Sequence, residues 1–138
     1  MKNQKFIPRK TARLIINIIM AFLVLFANFF AVKAMSIYAV EVIAYEKMSV
    51  AYNIGGIDGL KFEIDQILSH SQFKRELSTA KEFRDLLENL EEPGVYLQNE
   101  ISERKNQVVF YNRMRRLSMV LIFILLGARI ILNLAVKS

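Results

Sequence analysis

Nineteen consecutive residues, Leu14–Val32 (LIINIIMAFLVLFANFFAV), carry no charge, and seventeen of them are apolar or Ala. A helix of that length rises ~28 Å, close to the thickness of a bilayer's hydrocarbon core. A second run, Leu117–Val136, holds a single charge, Arg129. Two such runs leave few soluble folds open. The fold expected is an all-α membrane protein: two transmembrane helices form an antiparallel hairpin, both extend beyond the bilayer, and a third, kinked helix joins them in an extramembrane helical bundle. The expected division is a basic cytoplasmic N-terminus at 1–13, a first span at 14–33, an extramembrane region at 34–116, a second span at 117–136 and a tail at 137–138.

Charge is segregated. All thirteen acids of this 138-residue chain lie between Glu41 and Glu103, where they meet only six Lys or Arg, for a net charge of −7. The flanks, 1–40 and 104–138, hold thirteen bases and no acid. Bases gathered beside apolar runs point to anionic lipid headgroups and away from nucleic acid. There is no Cys and one His, which excludes disulfides and thiolate chemistry and leaves little for a metal site. No cofactor is expected.

Residues 1–13 resemble the basic end of a signal peptide, and Val32-Lys33-Ala34 is a passable cleavage site. The length of the charge-free run favours an uncleaved signal anchor. Helical patterning continues to Tyr52 through Ile37, Val40, Ala44 and Met48. Asn53-Ile54-Gly55-Gly56 then supplies a stop, since Gly takes a left-handed conformation without steric cost. Asp58 is a candidate N-cap, and one kinked helix or two short ones follow to residue 91. They are interrupted at Ser69-His70-Ser71-Gln72, and a capping box is read at Thr79 and Glu82. Glu91-Glu92-Pro93-Gly94 ends that region, and a last helix runs from about Val95 to Val136.

Pairing the two long helices antiparallel places residue i near residue 150 − i. Asn17 then faces Asn133, Tyr52 faces Gln98, and Glu41 and Glu46 come within reach of Arg104 and Lys105. The layout is similar to the sensor modules of bacterial transmembrane receptors in architecture alone. No motif supports a family, and no output domain is expected after the second span.

Orientation cues conflict. Five bases precede the first span, which sets the N-terminus inside. Arg104, Lys105, Arg113, Arg115 and Arg116 precede the second, with only Lys137 after it. The intervening segment is longer than the loops for which charge counting holds, so the first span decides. The expected location is an inner or plasma membrane with both termini cytoplasmic.

Candidate contact residues follow from the same reading. Arg129 lies within the second span, where a central charge costs ~2.5–3.5 kcal/mol on insertion scales. It snorkels to headgroups or meets a partner chain or lipid. Asn17, Asn28 and Asn133 are candidate helix-pairing amides or subunit contacts. Lys33 and the Arg113, Arg115 and Arg116 cluster belong at a membrane edge, as headgroup anchors or a site for an acidic or phosphate-bearing partner. His70 reads as a solvated loop residue. Gly55-Gly56-Ile57-Asp58-Gly59 reads as a turn, because it lacks the strand and the Lys of a phosphate loop. No nucleophile, paired acid or metal constellation accompanies these residues. The function expected is a non-enzymatic accessory or interaction subunit whose extracytoplasmic helices meet a membrane-protein partner or a second copy. The alternative is a homo-oligomeric pore with basic rings at Arg129 and Arg113–Arg116. A membrane-bound immunity or exclusion factor fits the first reading equally.

Overall fold

The computed structural model describes residues 8–137. Lys2 and Lys5 of the basic N-terminus therefore lie outside the described residues. All described elements are helices: α1 (Arg9–Ser36), a π-helical turn (Ile37–Val42), α2 (Ile43–His70), α3 (Lys74–Leu87) and α4 (Pro93–Lys137). Two helical stretches, one running through α1 and one through α4, are long and apolar enough to cross a membrane.

The chain divides into two units. The first comprises residues up to Ala31 together with Asn112 onward; the second is Val32–Tyr111.

In the first unit almost nothing is buried. Phe22, Leu25, Phe29, Leu117, Phe123 and Ile131 are all more than half exposed. None of the most apolar stretch of α1, and 6% of that of α4, is covered by protein. A soluble core helix hides its apolar face; here the face is open around the helix, as expected of a segment whose solvent is lipid. Ser118 is the exception, buried with its hydroxyl donating to the Met114 carbonyl oxygen at 2.9 Å. That bond satisfies the hydroxyl within its own helix. Near the other end of α4, Arg9 Nη1 lies 3.5 Å from the Ala135 carbonyl oxygen.

The second unit has a conventional core. Ile37, Val42, Tyr45 and Met48 pack with Leu60, Ile64 and Ile67 of α2, with Ala80, Phe83 and Leu87 of α3, and with Leu97 and Ile101 of α4. Phe83 sits at the centre, edge-on to Tyr45 at 6.5 Å and stacked on Tyr96 at 5.7 Å between ring centroids. Such ring pairs add ~0.5–1.5 kcal/mol beyond the area they bury.

The π-turn decides which side chains reach that core. Its i→i+5 hydrogen bonding stacks residues five apart, so Val42 follows Ile37 onto the buried face. An unbroken α-helix would bring Glu41 there instead. Val40, expected on the buried stripe, is only half-buried, while Val42 and Tyr45 are fully buried.

Helical geometry breaks at Gly56, with φ +64° and ψ −150°, a conformation that L side chains rarely adopt. Gly59 packs against the preceding stretch so closely that an added Cβ would lie 2.6 Å from the Ala51 carbonyl oxygen. α2 ends at His70, and the Ser71 hydroxyl accepts the Phe73 N–H at 3.2 Å before α3 begins. Thr79 is not a cap: it is buried inside α3, whose N-cap position is Phe73. α4 starts at Pro93, two residues earlier than patterning suggests, because Pro lacks the N–H that a first helical turn leaves unused.

Candidate functional site

The second unit carries a polar cluster on the side of its core. The displacement of Glu41 by the π-turn places its carboxylate 3.4 Å from Arg75 Nη1 of α3 and 3.7 Å from Arg104 Nε of α4. Arg104 also binds Glu100 one turn before it. Its guanidinium carbon lies 4.4 Å from the centroid of the Tyr45 ring. Burial opposes the charge on Arg104, but the hydrogen bond to Glu100 and the surrounding negative charge outweigh it and hold its pKa above the ordinary value. Burial pushes the Tyr45 phenol up to about 12, against the pull of Arg104, and raises Tyr96 as well. Glu46 pairs with Lys105 at 3.1 Å. Glu41 and Glu46, expected to face Lys105 or Arg104 without a choice between them, meet these two bases as Glu41 with Arg104 and Glu46 with Lys105, and Arg75 is an addition that patterning within single helices does not reveal.

Beside this cluster lies an open groove of about 640 Å³, lined by Lys33, Ile37, Glu41, Arg75, Glu103, Asn106, Gln107, Phe110 and Tyr111. Lys33 and Glu103 make no ion pair among the described residues.

A second feature is an uncovered helical face. Ile43, Val50 and Ile54, spaced seven and four apart, are 36%, 56% and 84% exposed, with Lys47 in the same row and Glu63 beside it. The sequence carried this signal as a period-seven spacing, but the stripe leading to Met48 drew attention to the opposite face.

The remaining residues singled out by sequence are dispersed. Asn17, Asn28 and Asn133 are exposed, and no hydrogen bond joins Asn17 to Asn133. Tyr52 and Gln98 line one open depression with Gly94, where a Cβ added to Gly94 would lie 2.9 Å from the Tyr52 ring. Gln98 donates from its amide to the Ser49 hydroxyl at 2.9 Å. Arg113 and Arg116 are exposed; Arg115 and Arg129 are half-buried, and Arg115 Nε is buried without a hydrogen-bond partner. Lys33 is half-buried in the groove. His70 is exposed, with Nδ1 3.2 Å from the Gln66 carbonyl oxygen. Among the described residues no group of three or more His, Asp or Glu is placed to hold a metal ion.

Comparison with protein-family models, curated proteins and solved structures gave no match to the chain.

Proposed function

We propose that the chain is a non-enzymatic membrane subunit, anchored by two transmembrane helices paired as an antiparallel hairpin, whose helical extramembrane region docks a partner protein. Both termini lie in the cytoplasm, and the region holding α3 lies on the far side. The observation that carries the docking reading is the row of Ile43, Val50 and Ile54, which lie apolar and uncovered along one concave face of α2. An Ile that is 84% exposed wastes ~1.5–3 kcal/mol of burial that a partner surface recovers. Lys47 stands in the row, so the occupant is a helix that presents apolar side chains and one carboxylate to meet it. The hairpin is supported by the contact of Arg9 with Ala135 in one unit and of Glu46 with Lys105 in the other.

The test is photo-crosslinking from a benzophenone amino acid at Ile54 in native membranes, followed by purification in mild detergent. A discrete adduct with one other membrane protein is expected, lost in Val50→Glu and weakened in Lys47→Glu. Absence of any adduct from Ile43, Val50 and Ile54 alike defeats the docking reading.

A further inference from the structure

The groove between the start of the second unit and the α4 segment ending at Tyr111 carries a charge pattern with a particular complement. Lys33 and Arg75 contribute two positive charges, and Glu41 and Glu103 two negative ones, so the lining is balanced. Glu41 is already held by Arg75 and Arg104. Lys33 and Glu103 are left as a cation and an anion without partners on one concave surface, with the amide of Gln107 beside them and the Phe110 ring as apolar wall. A simple anion would satisfy Lys33 but would face the Glu103 carboxylate. A simple cation would face the reverse. A ligand that carries both charges a few bonds apart satisfies both.

We propose that this groove binds a phosphodiester bearing a primary ammonium group, as the headgroup of an aminophospholipid. Lys33 takes the phosphate, and Glu103 accepts the ammonium N–H. The source is a lipid and not a soluble phosphate because Lys33 is the residue that follows the charge-free run ending at Val32, and Tyr111 lies six residues before the run that begins at Leu117. Bases and tyrosines at the ends of spans sit at headgroup depth. The proposal rests on the membrane reading but not on the docking of a partner protein.

The experiment uses the full chain purified in mild detergent. Retention of dioleoyl phosphatidylethanolamine, phosphatidylcholine and phosphatidylglycerol is compared by native mass spectrometry, with free O-phosphoethanolamine as the soluble arm. Phosphatidylethanolamine is expected to bind about tenfold more tightly than the other two lipids, the weight of one charge-assisted hydrogen bond. The trimethylammonium of phosphatidylcholine has no N–H for Glu103, and phosphatidylglycerol has no cation. Lys33→Gln is expected to weaken all three lipids; Glu103→Gln removes only the preference for phosphatidylethanolamine. Lys81→Gln, an exposed base outside the groove, leaves both unchanged. Equal retention of the three lipids, or a preference that survives Glu103→Gln, overturns the proposal. Binding of O-phosphoethanolamine as tight as the lipid overturns the lipid assignment. Flotation with vesicles of phosphatidylcholine alone reads the membrane location separately: a chain that floats but shows no headgroup preference refutes the groove and leaves the spans intact.

Discussion

The guanidinium of Arg104 lies over the Tyr45 ring at 4.4 Å while its nitrogens reach Glu41 and Glu100. One side chain from α4 thus binds the π-turn, the first turn of α2 and its own helix together. Its side chain is 18% exposed, so these contacts are screened less than those of a surface pair. Arg104→Met is expected to lower the stability of the second unit by ~3 kcal/mol, because Glu41 and Glu100 are left partly buried with less compensation. Arg104→Lys should recover less than half of that, since a point charge cannot serve two carboxylates and a ring face at once. Urea titration in mild detergent, followed by circular dichroism, checks both.

Tyr45 ties stability to high pH. Its phenol titrates at about 12 in the folded chain and near 10 once unfolded, because burial disfavours the phenolate. Below pH 10 the full contribution is present; between 10 and 12 the unfolded state releases a proton that the folded state keeps, and stability falls. Tyr96, shifted in the same direction, adds to the decline. Tyrosinate absorbance should show Tyr45 ionising last, together with unfolding. Tyr45→Phe should flatten the stability profile in that window.

The two adjacent glycines at the break in α2 are expected to behave oppositely. Gly56→Ala forces a side chain into φ +64° and should destabilise by ~1–2 kcal/mol. Gly55 has open space around its Cβ direction and an ordinary helical φ, so Gly55→Ala should stabilise by ~0.5–1 kcal/mol. Thermal melting of the pair tells whether the break is a property of the sequence or of the packing around it.

The absence of native Cys allows a direct reading of orientation. Gln72, exposed between α2 and α3, is replaced by Cys, and intact cells are treated with a membrane-impermeant maleimide. Labelling without permeabilisation is expected. Labelling only after permeabilisation inverts the topology and moves the Ile54 face and the lipid groove to the cytoplasmic side.

The helical content and the two long apolar helices were legible because they depend on composition over twenty residues, which local detail does not disturb. That Glu41 and Glu46 meet Arg104 and Lys105 was legible too, because antiparallel pairing brings the two acids near the two bases; which acid takes which base was not, because the register is set by the core packing. The π-turn was not: no residue of Ile37-Tyr38-Ala39-Val40-Glu41-Val42 is a breaker, and the extra residue is selected by what Val42 and Glu41 each gain in tertiary contacts. Thr79 misled for a related reason. Its spacing to Glu82 fits a cap, but the apolar neighbours Ala80 and Phe83 draw that turn into the core, and the helix begins a turn and a half earlier. The groove escaped detection because Lys33, Arg75 and Glu103 come from three separate segments.

The π-turn also makes the chain's length unusually forgiving at one point. Deleting Ala39 would let the backbone relax into an ordinary helix in which Ile37 and Val42 stand four apart and still share a face. Ala34, Ile37 and Val42 would keep their buried places, and Glu41 would stay beside its two arginines. Deleting Met35, in the regular helix just before the turn, finds no surplus residue to absorb the loss and would turn Ala34 by about 100° relative to Ile37.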